Sequence, residues 1–210
     1  MPLHNRVSPS GELLAVKARG LVYGNRGCLH DETGRIRRSY AGKRWIACRL
    51  DFKGRRRHPL MKPGRFTELF FLDEATAFAA GHRPCAECRR EDYVRFSAIW
   101  RSLHPSEQSR ADAIDKQLHD ERLDGRARTR RHHRAQIDDL PDGTFIGIGV
   151  DAMLVVGSAL LRWTPSGYPS AERRPRRRSV VLLTPPSLAG VLRAGWNSSV
   201  PFLHPSASAH

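Results

Sequence analysis

"GHRPCAECRR", residues 81 to 90, carries two of the chain's four cysteines, three positions apart and directly behind a proline. A Cys-x-x-Cys knuckle of this kind grips a metal, runs dithiol chemistry or braces a turn, and its surroundings decide between them. Upstream, "DEATAFAA" reads as a short helix. Asp73 is a suitable N-cap, Glu74 suits the positive end of the dipole, and Gly81 falls where a left-handed C-terminal residue belongs. Downstream, "REDYVRFSAIWRSL" puts Tyr93, Phe96, Trp100 and Leu103 on one helical face. A redox knuckle expects a βαβ setting that these residues do not supply, so metal binding is the expectation.

The other two cysteines lie in strand-like runs. "ARGLVYGNRGCLH" and "KRWIACRLDF" flank a turn-rich, basic connection, "DETGRIRRSYAG". In the second run Ile46, Cys48, Leu50 and Phe52 share one face, with Trp45, Ala47, Arg49 and Asp51 on the other. A hairpin centred on residue 38, bracketed by Gly34 and Gly42, pairs Cys28 directly with Cys48. Such partners have Cβ atoms about 4.5–5.5 Å apart, close enough to share one ion. The expected site is therefore a tetrahedral Zn²⁺ held by Cys28, Cys48, Cys85 and Cys88, with Zn–S near ~2.3 Å. His30, His58 and His82 are the reserve ligands. "RFTELFFL" adds a third strand, and "PSEQSRADAIDKQLHDERL" a second long helix with Ala113, Ile114, Gln117 and Leu118 at contact spacing.

The stretch from Phe70 to Arg90 resembles the Ada-type zinc-binding domain of bacterial DNA-alkylation repair proteins. Gly81, Arg83, Pro84, Cys85 and Cys88 match that family's Gly-aromatic-Arg-Pro-Cys-x-x-Cys knuckle, with His82 in place of the aromatic residue. The resemblance covers about a tenth of the chain. It implies a Cys₄ zinc held against DNA backbone, one of whose thiolates accepts a methyl group from a methylphosphotriester. The family's first two ligands form one Cys-x₃-Cys, whereas here they are the separated Cys28 and Cys48. The resemblance therefore carries over only Cys85 and Cys88 and assigns no methyl-accepting thiolate.

A second constellation uses the same knuckle. "HDE", His30 to Glu32, with "PCAEC", Pro84 to Cys88, spells the His-x-Glu … Pro-Cys-x-x-Cys signature of zinc nucleobase deaminases, in which the Glu shuttles protons for the attacking water. The context differs, because Gly34 follows at once in a loop-like stretch where that family opens a helix. No P-loop or Gly-x-Ser-x-Gly elbow is present, and "GIGVDA" lies inside a strand pattern rather than at a dinucleotide turn.

Lys plus Arg number 36 against 21 acids in 210 residues, a formal net charge of +15. So basic a chain attracts polyanions, because neutralising phosphates releases condensed counterions. Nucleic acid, DNA in the first instance, is the expected partner, through Arg55, Arg56, Arg57, Arg83, Arg130 and Arg131. All but Arg83, which lies in the knuckle, belong to the Arg-dense segments Lys53 to Arg57 and Arg126 to Arg134. A third such segment runs from Arg173 to Arg178. Trp45 and Trp163 are candidates for base stacking, with core packing the simpler role for each. Four cysteines are too few for a disulfide scaffold, and no stretch reaches the ~20 apolar residues of a membrane span. The expectation is a cytoplasmic protein with reduced thiols and no membrane partner.

The expected fold class is α+β, with zinc-stapled antiparallel strands and helices in residues 1–105. The first 17 or so residues of that region read as a loose leader. Residues 106–137 form a helix and basic-loop bridge. A β-rich lobe spans 138–204, in which "GTFIGIGV", "AMLVVGS" and "ALLRWTP" make a meander turning at Asp151 and at Gly157-Ser158. "SVVLLTP" and "PSLAGVLRAGW" supply a further strand and a short helix, and residues 205–210 a disordered tail.

Overall fold

The computed structural model describes residues 1–55, 58–105, 110–125 and 129–209. Six strands make the N-terminal sheet: β1 (Arg6–Val7), β2 (Leu13–Leu14), β3 (Val22–Asn25), β4 (Ile46–Cys48), β5 (Leu69–Phe71) and β6 (Arg83–Pro84), in spatial order β2-β1-β5-β3-β4-β6. Helix α1 (Glu74–Ala79) lies between β5 and β6, and α2 (Arg90–Leu103) and α3 (Ala111–Arg122) follow. The second sheet takes β7 (His133–Gln136), β8 (Phe145–Ile148), β9 (Asp151–Val156), β10 (Ala159–Arg162), β11 (Ala171–Arg173) and β12 (Ser179–Leu182), in order β11-β10-β9-β8-β12-β7. Helix α4 (Pro186–Arg193) comes after it. The chain is α+β with a β-rich C-terminal part.

Helix α1 joins the two halves. Asp73 caps it, accepting from the Thr76 backbone N–H at 2.8 Å and from its hydroxyl at 2.7 Å. All six of its residues are buried, and their small side chains let three layers approach. Ala77 packs with Val22, Ala47, Leu69 and Phe71 of the first sheet. Phe78 meets Phe96 and Trp100 of α2, Ile114 and Leu118 of α3, and Val191 of α4. Ala75 and Ala79 face Phe145, Leu154 and Leu161 of the second sheet. The apolar positions expected to seat the two long helices do so at Phe96, Trp100, Ile114 and Leu118, while Leu103 stays 41% exposed.

The structure corrects several expectations. The N-terminal residues are not loose: β1 pairs parallel with β5 and antiparallel with β2, and Asn5 and Val7 are buried. The first sheet is mixed rather than antiparallel, since β4 and β6 also run parallel. The second sheet begins at β7, so His133 and Arg134 belong to it rather than to a bridge. Of that bridge, residues 106–109 and 126–128 lie outside the described residues. Asp151 opens β9 opposite Ile148 instead of sitting in the turn, which falls on Gly149 and Val150. The tail is docked. The Asp73 oxygen not used for capping Thr76 accepts from the Tyr168 hydroxyl at 2.7 Å and from the His204 N–H at 2.9 Å. Residues Pro205–Ala209 then form a 3₁₀ turn that buries Ala207. Among the described residues no helix is long and apolar enough to cross a membrane.

Candidate metal centre

Strand pairing explains how the knuckle meets Cys48. In the parallel β4–β6 pair Ile46 faces Arg83 and Ala47 faces Pro84, and the Cys85 N–H bonds the Ala47 carbonyl at 2.9 Å. One step further along the same register sets Cys85 beside Cys48. The chain then turns through Ala86 and Glu87 to Cys88 before α2 starts. The Sγ atoms of Cys48, Cys85 and Cys88 all lie within 4.8 Å of one another. A tetrahedral ion with Zn–S near ~2.3 Å needs sulfurs about 3.8 Å apart, so this group could hold a metal ion.

The surroundings favour thiolate at Cys85. The Glu87 N–H points at Cys85 Sγ at 3.4 Å, the Cys88 N–H also stabilises the Cys85 sulfur, and the Arg49 N–H stabilises Cys88. Hydrogen bonds from Cys48 and Cys88 pull the Cys85 thiol down to about 2. Cys48 is pushed far up, first by its hydrogen bond to Cys85 and then by Cys88 and burial. Cys88 also rises: its bond with Cys48 lowers it, but Cys85 and burial outweigh that. Negative charge is thus concentrated on Cys85, and a cation among the three sulfurs would spread it over all of them. Tyr23, Phe52 and Phe70 pack around the group.

Cys28 is not part of it. The β3–β4 register sets Tyr23, not Cys28, opposite Cys48. Two glycines fix this. A Cβ on Gly24 would come within 2.3 Å of the Ile46 carbonyl, so the position tightly flanked by β4 and β5 is the one without a side chain. Gly27, at φ 100°, then turns the chain out of the ladder before Cys28 is reached. The Cys28 thiol donates instead to the His30 carbonyl at 3.5 Å. The reserve histidines do not replace it. His30 has both ring nitrogens engaged, by Thr67 Oγ1 at 2.6 Å and the Lys62 carbonyl at 3.1 Å. His82 is fully buried between Phe71 and Trp45, and His58 is exposed. Glu32 is exposed too, so the His30–Glu32 pair does not assemble with the cysteines into a deaminase centre.

The three cysteines line a cavity of about 650 Å³ that the sequence did not outline. Arg44, Arg55, Lys62 and Arg65 rise around it as exposed cations, and Phe66 is 45% exposed on its wall. Of its acids, Glu87 is held by Arg55 at 2.5 Å, and Glu68 accepts the Met61 N–H at 2.7 Å. Asp112 is the third. These side chains come from four separate segments with no common spacing, so no sequence pattern marks them.

The arginines expected to hold nucleic acid divide. Arg55 is at the cavity and Arg131 is exposed, while Arg56 and Arg57 lie outside the described residues. Arg83 is 2% exposed and forks onto Asp115 at 2.7 and 2.8 Å, its donors spent within the protein. Arg130 turns inward to the carbonyls of Ser10, Ala79 and Leu183. Trp45 is buried, and Trp163 donates to Thr76 Oγ1 at 3.2 Å, so both are committed to packing. No protein-family model matches the chain, and no curated protein or solved structure is significantly similar to it.

Proposed function

We propose that this is a zinc protein that engages nucleic acid, DNA first, across the mouth of the cysteine cavity. One observation carries the reading: the three-cysteine group and four exposed cations share a single concavity. A soft, all-thiolate donor set suits zinc. When bound, zinc keeps the sulfurs anionic and leaves one of four tetrahedral positions without a cysteine. Arg44, Arg55 and Arg65 offer planar forks that match phosphate oxygens, and Lys62 a point charge. Phe66 presents a ring on which an unpaired base can stack. The likeness of Gly81 to Cys88 to the Ada knuckle supports DNA as the polymer.

The experiment is zinc stoichiometry by native mass spectrometry, followed by fluorescence anisotropy with duplex and single-stranded oligonucleotides across a salt series. One zinc per chain is expected. With four phosphate contacts, duplex affinity should fall roughly 100-fold between 50 and 200 mM salt. Arg44→Ala combined with Arg65→Ala should make the log–log salt slope shallower by about 2 and leave zinc content unchanged. Zinc binding with no salt-dependent affinity for any oligonucleotide would reduce the site to a structural staple.

A further inference from the structure

Alternation along β4 sends Ile46 and Cys48 to the cysteine cavity, and Trp45 to the opposite face of the sheet. There lies a second cavity, of about 490 Å³, within the size range of small-ligand sites. Five arginines line it (Arg26, Arg37, Arg38, Arg122 and Arg130) against one carboxylate, Glu12.

Two of these arginines are buried and unneutralised. Arg26 is 1% exposed; its guanidinium lies 4.8 Å from the centre of the Trp45 ring, and its Nη2 donates to the Gly11 carbonyl at 2.8 Å. Arg122 is 4% exposed, 3.9 Å from the Trp45 ring centre, and donates to the carbonyls of Gly81 and Lys43. Among the described residues the buried Nε of each has no acceptor. Arg130 points into the same place: a Cβ built on Gly11 would lie 3.2 Å from its Nη1 and 3.6 Å from Arg26 Nη1. Among the described residues none of the three makes an ion pair. Asp115 and Glu121 attract Arg122 from nearby, but Asp115 is forked by Arg83 and Glu121 is bound by Ser187 and Gln117. Backbone carbonyls satisfy N–H groups, yet their partial charges do not cancel whole ones. Burial draws Arg26 and Arg122 down to about 9 and Arg130 to about 10, so all three remain charged at neutral pH.

We propose that this cavity binds a small phosphomonoester with an apolar body, of the size of a nucleoside 5′-monophosphate. Arg26, Arg122 and Arg130 face the single charge of Glu12, which attracts Arg130, so about two positive charges are left to be met in one place. A phosphomonoester supplies about −1.5 to −2 at neutral pH with three acceptor oxygens, whereas a carboxylate supplies one charge. Leu13, Ile36 and Tyr40 provide the apolar wall for the rest of the molecule. The site is independent of the metal reading, since its residues lie on the other face of the sheet from the three cysteines.

The test is isothermal titration of the intact protein with adenosine 5′-monophosphate, adenosine, inorganic phosphate and a 5′-phosphorylated oligonucleotide. The expected result is one site for the monophosphate, at least tenfold tighter than for adenosine or for phosphate alone. If the oligonucleotide binds more tightly than the monophosphate and needs its 5′-phosphate, the site takes a nucleic-acid end; the reverse order assigns it to a free metabolite. Arg26→Gln keeps a donor for Gly11 but removes a charge. It should weaken binding at least tenfold without lowering the melting temperature of the ligand-free protein, as a purely structural arginine would. Ser39→Trp, at the exposed lip, leaves the arginines in place and should block the same binding. No heat with any phosphate-bearing probe at millimolar concentration, or affinity unchanged in both variants, overturns the proposal.

Discussion

Cys85→Ser is expected to abolish metal retention, whereas Cys28→Ser should retain metal at the one-per-chain level expected of wild type. Cys85 is the sulfur on which the other two converge and the one pulled most strongly toward thiolate. Serine offers a neutral hydroxyl in its place, which leaves only two thiolate ligands for an ion that takes four. The loss should exceed the roughly 10–100-fold that removing an outer-shell partner of a metal ligand costs. Cys48→Ser should behave likewise, with a second consequence. Cys48 closes β4, and its packing with Tyr23 and Phe70 ties the metal to the middle of the sheet, so thermal stability should fall along with metal content. Native mass spectrometry of the three single variants checks the set. Metal lost from Cys28→Ser would mean that the loop following Gly27 folds back onto the cluster, and the four-sulfur site would be restored.

That contrast shows what could be read from the sequence. Cys85 and Cys88 sit on a knuckle whose geometry is local, fixed by a proline before it and a helix after it, and two such residues can be placed from their spacing. Cys48 could be placed by alternation, because Ile46 and Cys48 share a face whichever strand pairs with β4. Cys28 could not, because its position depends on register, and symmetry about residue 38 is only one of the registers the loop allows. What selects another is a pair of close backbone approaches, of Gly24 to the Ile46 carbonyl and of Gly27 to the Ala41 carbonyl, visible only once the chain is folded. The same holds for charge. Arg83 and Arg130 look like any other cation in a basic chain, yet one is neutralised by Asp115 from a helix some thirty residues on, and the other braces carbonyls from three distant segments. The short helix before the knuckle was legible because its cap and its terminator, Asp73 and Gly81, are local chemistry. That it would become the contact between two sheets was not, since nothing in "EATAFA" distinguishes one buried face from three.

Arg89→Met should destabilise the fold strongly. Arg89 directly follows Cys88 and leads into α2. Its guanidinium pairs with Glu74 at 2.5 Å and with Asp92 at 2.7 Å, and all three side chains are fully buried. Trp196 donates to the other Glu74 oxygen at 3.0 Å, and Ser198 accepts from Arg89 at 2.9 Å, so the network ties α1 and the knuckle to the segment after α4. Removing the cation leaves the buried Glu74 without an ion-pair partner among the described residues, while Asp92 keeps Arg95 at 2.9 Å and the Ser199 N–H; breaking a buried pair in this way costs about 3–5 kcal/mol. The penalty should depend on pH. Burial already pushes the Glu74 carboxyl up against the opposing pull of Arg89. Without Arg89 its folded-state value rises further above the unfolded one. A carboxyl raised in this way contributes stability below the unfolded value and loses it as pH climbs through the folded one. The difference between variant and wild type in urea melts should therefore be small near pH 4 and grow toward pH 7. A pH-independent difference would mean that the lost packing of the arginine stem, rather than its charge, sets the cost. Glu74→Gln added to Arg89→Met neutralises the acid left unpaired, so it should recover part of the stability at pH 7 and almost none at pH 4.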